Sequence, residues 1–331
     1  MRKKQNRILT SRLTLPLVLL VVLLRWLILL AGDYSLWQEF LLFIVNILLF
    51  RDVNHTNALV SQRGRIVLAV YAVLMSLIPE TLADIHVLAV QFFVLLAIRM
   101  LFMTYQHSDS NGQKYFAYLF IGLASLLWHP IVLFVPLMLI GERYCFMSFG
   151  AKSMWACLLG LLTPYWLIMP VAVIISGLSD VMSRMLAVYD NMTHLGENFH
   201  YTNLLESYGG MPLTSLLSVL LLLVLLLIGV VHYMRNSFTD RIQVRMYYNF
   251  FMILASGVVV AGLLLPQLSL CGRSAIGYLW SVLVLCATPL LSHCLSISSS
   301  RSGMVASYVI TAVIAILLLT SLTTSLTTSF L

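Results

Sequence analysis

Charged residues are scarce in this sequence. They make up 9% of the 331 residues, whereas hydrophobic residues make up 61%. About a quarter of the residues in a soluble domain are charged. The mean hydropathy of +0.98 points the same way. The composition excludes an ordinary soluble domain and predicts a polytopic membrane protein.

Sequence features of metal, nucleotide and disulfide chemistry are also missing. The five cysteines are an odd number and show no CxxC spacing, so neither a disulfide framework nor a zinc site is predicted. The sequence has no Walker-type loop, no HExxH, no GxSxG and no GxGxxG that opens a nucleotide-binding unit. We therefore expect no cofactor and no metal.

The formal charge of +7 does not indicate a nucleic-acid partner. The Lys and Arg residues lie in short turns between apolar runs, where membrane insertion requires them, and no aromatic platform accompanies them. The expected partner is the lipid bilayer, and membrane-protein partners are compatible with the pattern.

No linker or charged domain interrupts the apolar runs, so residues 1–331 are predicted to form a single membrane-embedded domain. Lipid offers no hydrogen bonds to a bare backbone, and the runs do not alternate as barrel strands do, so the fold class is all-α. The N-terminal apolar run lacks a cleavage site and is interpreted as an uncleaved first span. The predicted spans are 13–31, 36–50, 64–79, 85–103, the 115–140 region, 154–176, 212–234, 246–265, 275–291 and 304–322.

Residues 115–140 form an uncharged stretch with His129 and Pro130 just past its centre. If this stretch is a helical hairpin, sixteen Lys and Arg residues face the cytoplasm, against Arg184 and Arg273 outside and Arg25 within the first span. If it crosses once, the count becomes twelve against six. The positive-inside rule therefore favours the hairpin.

The hairpin gives about 10–11 membrane helices in a polytopic transmembrane bundle, with the N-terminus cytoplasmic and the C-terminus periplasmic. Its arms, 115–128 and 130–140, measure about 21 and 16 Å as helices, less than a hydrocarbon core of about 30 Å. Short tilted spans and a re-entrant pair both remain open. Pro130 suits the start of a helix whose positive end faces His129, although a plain turn with His129 bonded to a carbonyl also fits.

The longest extramembrane segment is 177–211, predicted to be periplasmic. Its first half has apolar residues at three- and four-residue steps, as in a helix that lies on the membrane surface. Its second half carries Glu197 and His200, which can move protons and are the candidate catalytic residues.

Basic residues are rare on the predicted outer face. Arg184 and Arg273 stand in outer loops, and Arg25 lies about 9 Å from the end of its span, where it can snorkel outward and pair with Asp33. Arginine grips phosphate oxygens with two hydrogen bonds, so these residues, with His129, are candidates for binding a lipid diphosphate. Ordinary loop salt bridges are the alternative interpretation.

Residues 85–140 resemble an uncharacterised family of polytopic bacterial inner-membrane proteins in their layout: a helix with a basic end, a polar loop and a short hairpin. The piece "SLLWHPIVLFVPLML" is similar to the hairpin of exopolysaccharide-polymerase-type membrane proteins. The resemblance implies the bacterial inner membrane.

Three functions stay open at this point. The first is cell-envelope glycan assembly at the periplasmic face, by a lipid-linked sugar glycosyltransferase or polymerase. The second is a non-enzymatic component of an envelope assembly or secretion machine. The third is a carrier or flippase for a neutral solute, because intramembrane acids that carry protons in pumps are nearly missing.

Overall fold

The structure is a computed structural model that describes residues 14–60, 65–77, 79–107, 109–177, 213–264 and 275–296, together with positions 179, 182, 183 and 186. It is helical, and no strand occurs in these ranges. The helices are α1 (Thr14–Gly32), α2 (Trp37–Asn57), α3 (Arg65–Met75), α4 (Pro79–Leu82), α5 (Ile85–Phe102), α6 (Asn111–Leu127), α7 (Val135–Gly141), α8 (Ala151–Ser176), α9 (Leu213–Asn236), α10 (Ile242–Leu264) and α11 (Ala275–Ser296).

Six helical stretches within the described ranges are long and apolar enough to cross a membrane. They are Ile85–Phe102, His129–Phe146, Ala151–Ile175, Leu216–Asn236, Ile242–Gly262 and Ile276–Ser296. Two shorter apolar helices accompany them, at Val18–Gly32 and Arg65–Met75. The prediction of an all-α, multi-pass membrane bundle is confirmed. The predicted span 304–322 lies outside the described residues.

Most helix ends fall close to their predicted places, but α2 is longer than expected. It was predicted to end at residue 50 and continues to Asn57. The added turns carry Arg51 and Asp52, and Asp52 accepts a hydrogen bond from Arg99 on α5 at 2.6 Å. A charged residue that pairs with a residue of a neighbouring helix can remain part of a membrane helix. Hydropathy alone places the end of the span before the first charged residue.

The chain reverses direction after α6, as the hairpin prediction required. Trp128 is extended, and a 3₁₀ helix (His129–Phe134), α7 and a π-helix (Glu142–Phe146) then run back beside α6; we call residues 129–146 the return arm. Lys114 donates a hydrogen bond to the carbonyl of Ser148, 34 residues later. A continuous helix would separate these residues by about 50 Å.

The two arms of the hairpin are longer than predicted. α6 has 17 residues and the return arm has 18. At 1.5 Å per residue α6 is about 26 Å long, close to the thickness of the hydrocarbon core. The arms therefore have the dimensions of two short spans.

The hairpin also defines the two ends of the bundle. We call the end with Trp128 the tip face and the end with Lys114 and Ser148 the base face. The ring of Trp128 stacks on Tyr278 at the start of α11, with centroids 5.1 Å apart. At the base face, Tyr247 near the start of α10 donates a hydrogen bond to the carbonyl of Phe102 at the end of α5, at 3.1 Å. Successive long helices thus alternate in direction.

Positive charge is concentrated at the base face. Arg25 is the only Lys or Arg of the described ranges that belongs to the tip half. The others lie at helix ends or turns of the base face: Arg51, Arg65, Arg99, Lys114, Arg143, Lys152, Arg235, Arg241 and Arg245. This asymmetry is the pattern that membrane insertion produces, with the basic side toward the cytoplasm.

Candidate functional sites

The predicted residues Glu197, His200, Arg184 and Arg273 lie outside the described residues. The helix ends that flank their two segments are described, and all belong to the tip face. α8 runs parallel to α6, since Ser125 and Tyr165 are joined by a hydrogen bond of 2.7 Å, so α8 ends at the tip. α9 begins, α10 ends and α11 begins at the same face.

Arg25 is held inside the protein. It is 1% exposed on the tip half of α1, and the adjacent Trp26 packs against Phe40 and Phe43 with ring centroids 5.3 and 5.5 Å away. The side chain therefore lies inside the bundle. The sequence had suggested that it snorkels to the outer surface, and it does not. A buried guanidinium in a membrane span is costly, so its position inside the bundle marks a functional candidate.

Asp33 does not serve as the partner of Arg25. Its carboxylate accepts the backbone N–H of Ser35 at 2.9 Å and caps the short 3₁₀ helix Tyr34–Leu36. This hydrogen bond lowers the pKa of Asp33, which is fully exposed. The predicted pairing is wrong because the carboxylate caps the loop at the surface while Arg25 is enclosed below it.

His129 lies at the tip of the hairpin, where the 3₁₀ helix begins, and is half-buried. Its imidazole forms no hydrogen bond with any residue of the described ranges. The alternative of a plain turn, in which His129 bonds to a carbonyl, is therefore not formed within these ranges. The neighbouring Trp128 is buried against Tyr278. The tip thus has a fixed indole and an imidazole open to other ligands.

A buried ionic cluster lies at the base of the hairpin and was missed from the sequence. Lys114 on α6 and Glu142 on the return arm are both 0% exposed. They attract each other electrostatically, and the hydroxyls of Tyr118 and Ser153 lie next to the Glu142 carboxylate. The thiol of Cys157 on α8 points to the same carboxylate at 3.9 Å. Three chain segments thereby meet around the buried Lys114 and Glu142.

The predicted spans leave Glu142 in the cytoplasmic turn between the 115–140 region and 154–176. The return arm instead ends in a π-helix from Glu142 to Phe146, which keeps the glutamate inside while Arg143 is exposed. π-helical turns are rare in proteins, and those that occur are often found at functional sites. The only sequence signal was that Lys114 directly precedes the predicted hairpin and Glu142 closely follows it, which brings the two residues to the same face.

A hydrogen-bonded pair of His293 and Asp240 fastens the turn between α9 and α10. His293 on α11 is 2% exposed, and its Nε2 lies 2.8 Å from Asp240 Oδ2. The rings of Tyr233, Tyr248 and His232 surround the imidazole at centroid distances of 5.3, 5.4 and 5.9 Å. The arrangement holds three helices together at the base face.

A neutral polar network lies within the bundle. The amide of Gln91 on α5 accepts a hydrogen bond from Tyr71 at 2.8 Å and donates one to the carbonyl of Ser281 at 3.0 Å. Asn46 on α2 donates to the carbonyl of Leu88 at 3.1 Å. These bonds join α2, α3, α5 and α11, and such interhelical bonds are typical of helix packing in membranes.

The fold and its apolar helices define a multi-pass helical membrane protein. The described residues include no group of three His, Cys, Asp or Glu side chains that could hold a metal ion. Comparison of the chain with protein families, with curated proteins and with solved structures finds no match.

Proposed function

We propose that the protein lies in the bacterial inner membrane with its base face toward the cytoplasm and acts on a lipid-linked sugar at its tip face, in cell-envelope glycan assembly. The observation that carries this proposal is the direction of the helices. Two segments hold Arg184, Glu197, His200 and Arg273, and both are flanked by helix ends of the tip face. Buried Arg25 belongs to the same half of the bundle.

The chemistry follows from these residue types. Glu197 or His200 would take the proton of an acceptor hydroxyl, as a general base does. Arg184 and Arg273, with the half-buried His129, would hold the diphosphate that leaves when the sugar is transferred. We expect this reaction to need no metal or organic cofactor, and the residue roles describe either a glycosyltransferase or a polymerase.

The charge asymmetry of the described helices supports the orientation. The base face carries most of the Lys and Arg residues and is therefore retained on the cytoplasmic side, which leaves the tip face to the periplasm. Arg184 and Arg273, if they lie at this face as predicted, have no role in insertion and would be suited to an anionic substrate. Membrane-protein partners of an envelope assembly remain compatible with this placement.

The test is a mass-spectrometric profile of lipid-linked sugars in cells that lack the gene, complemented with the wild type or with Arg184→Ala plus Arg273→Ala. We expect one lipid-linked intermediate to accumulate in the deletion strain and in the double variant. The matched control is Arg143→Ala plus Lys152→Ala, which removes two exposed charges of the base face and should restore the wild-type profile.

Protein levels of all variants are measured in the same membranes. An unchanged lipid profile in the deletion strain would contradict the proposal. The next measurement would then be co-purification of a stoichiometric partner, as expected for a non-enzymatic assembly component, or solute flux into vesicles, as expected for a carrier.

A further inference from the structure

Three polar atoms of the buried cluster at the base of the hairpin form no direct hydrogen bond with any residue that the structure describes. They are Oε2 of Glu142 and the hydroxyl oxygens of Tyr118 and Ser153. The three residues are 0%, 0% and 1% exposed, so bulk water does not reach them. Because an unsatisfied buried polar group is costly, three such groups in one cluster indicate a ligand that they share.

The three atoms belong to one site. Lys114 and Tyr118 are one turn apart on α6, and Ser153 and Cys157 are one turn apart on α8, so each helix turns two polar side chains to one side. All four interact with the Glu142 carboxylate. The Cys157 thiol approaches its Oε1 at 3.9 Å, and Oε2 is the oxygen that stays unbonded.

Other contacts fix the elements around this site. A Cβ at Gly160 of α8 would overlap the backbone of Tyr115, so α6 and α8 are already as close as their backbones permit. On the return arm, Gly141 packs directly against the ring of Phe250 on α10. The hydroxyls on the two helices are therefore held beside the Glu142 carboxylate without a movement of the helices that would bond them to it directly.

The chemistry of the site selects a small neutral molecule that both donates and accepts hydrogen bonds. An ionised carboxylate only accepts, whereas the Tyr118 and Ser153 hydroxyls donate as well as accept. Lys114 already balances the charge of Glu142, so its ammonium group would repel an added cation and the carboxylate would repel an anion. Water meets these conditions, since a buried water makes about three hydrogen bonds.

We infer that a water molecule binds between Glu142 Oε2 and the hydroxyls of Tyr118 and Ser153. It donates a hydrogen bond to the carboxylate and accepts one from each hydroxyl. The water thereby bonds the return arm, α6 and α8 to one another at the start of the π-helix (Glu142–Phe146). The inference goes beyond the proposed function, because this site lies at the base face, opposite the tip.

The experiment is hydroxyl-radical labelling of the full-length protein in nanodiscs by synchrotron X-rays, which form the radicals from water itself. A buried side chain is oxidised only where a water lies beside it, and we expect mass spectrometry to find Tyr118 and Cys157 labelled. The matched controls are Tyr71 and Cys286, which are both 0% exposed, and Tyr71 already donates its hydroxyl to Gln91. Labelling of Tyr118 no higher than that of Tyr71 would overturn the inference.

A double variant removes the two hydroxyls. Tyr118→Phe plus Ser153→Ala leaves the water with the carboxylate alone, fewer than the two partners that a buried water needs. Labelling of Cys157 should then fall to the level of Cys286. Cys157 labelling that persists in this variant would contradict a water held by the two hydroxyls.

The control variant is Tyr115→Phe plus Ser125→Ala, which removes the same two hydroxyl types from the contact of α6 with α8 outside the cluster. It should leave Cys157 labelled, and an equal loss of labelling in both variants would speak against the site. A thermal melt in detergent accompanies each variant, so that loss of labelling in a folded protein reports the water. The comparison of Tyr118 with Tyr71 in the wild type needs no variant.

A second arm separates water from a bound cation. The wild type and the double variant Tyr118→Phe plus Ser153→Ala are melted in sodium, potassium and choline chloride at equal ionic strength. A water site predicts the same melting temperature in the three salts. A wild type that is more stable in sodium or potassium, with no such difference in the double variant, would assign the space to a cation and overturn the inference.

Discussion

α8 and α11 are both membrane-length helices, yet they occupy opposite places in the bundle. All of the apolar window of α11 is buried in the protein, against 11% for α8. The exposed helix is the more hydrophobic of the two, with a hydropathy of 2.1 against 1.6. In a membrane the surrounding lipid is as apolar as a protein core, so high hydropathy marks contact with lipid and does not mark burial.

The two helices are also attached by different interactions. α11 carries buried polar residues, and its Ser281 carbonyl accepts a hydrogen bond from Gln91. α8 packs along α6, where Gly160 faces the backbone of Tyr115 and Gly122 faces the backbone of Leu161. The central helix is thus held by hydrogen bonds from side chains inside the bundle. The peripheral layer of α6, the return arm and α8 adds close backbone contact and the buried Lys114–Glu142 pair to its hydrogen bonds.

We expect the largest loss of stability when the buried Lys114–Glu142 pair of the peripheral layer is broken. Lys114→Met or Glu142→Gln leaves the other group buried without its counter-charge, and we expect each to lower the free energy of unfolding by roughly 3–5 kcal/mol. Reversible unfolding in mixed detergent micelles measures the loss. Lys114→Met combined with Glu142→Leu should recover much of it, because the second change removes the stranded charge.

Arg143→Met is the control for this pair, since Arg143 is adjacent in sequence and exposed. It should unfold as the wild type does. Single variants at Lys114 and Glu142 that are as stable as this control would show that the pair does not hold the hairpin together.

A smaller effect is expected where α8 touches α6. A Cβ at position 160 would overlap the backbone carbonyl of Tyr115, which cannot rotate away as a side chain can. Gly160→Ala should therefore destabilise the protein by about 1–3 kcal/mol, as overpacking does. Gly112→Ala on α6 is the matched control, because nothing lies within 4 Å of its added Cβ. Equal stability of the two variants would contradict the close contact of α6 and α8.

The smallest of the three effects is expected at the central network. Gln91→Leu keeps the volume but leaves the Tyr71 hydroxyl without its acceptor and the Ser281 carbonyl without its donor. Hydrogen bonds between membrane helices contribute about 0.6–1.7 kcal/mol, and we expect a loss in that range by the same unfolding assay. Gln113→Leu, at an exposed position, should change stability by less than about 0.5 kcal/mol. A loss at Gln91 above that at Lys114 would reverse the ranking.

Much of the topology was predictable because insertion acts on features that are local in sequence. The distribution of Lys and Arg identified the hairpin at 115–140, and Lys114 and Ser148 do meet at one face. Interhelical pairing was not predictable. The end of α2 was placed too early because Asp52 is stabilised by Arg99, 47 residues away. The burial of Glu142, predicted to lie in a cytoplasmic turn, was not foreseen because nothing in its own segment indicates Tyr118 or Cys157 as neighbours.

The sequence by itself determined the class of the protein, the helical state of its spans and their alternating direction, since a bare backbone in lipid must be hydrogen-bonded within each helix and basic residues stay on one side. Only the tertiary structure decided which helix is central and which carboxylate is buried. The reason is that lipid and protein interior are equally apolar. The choice of neighbours therefore depends on small residues, single hydrogen bonds and shape, which hydropathy does not record.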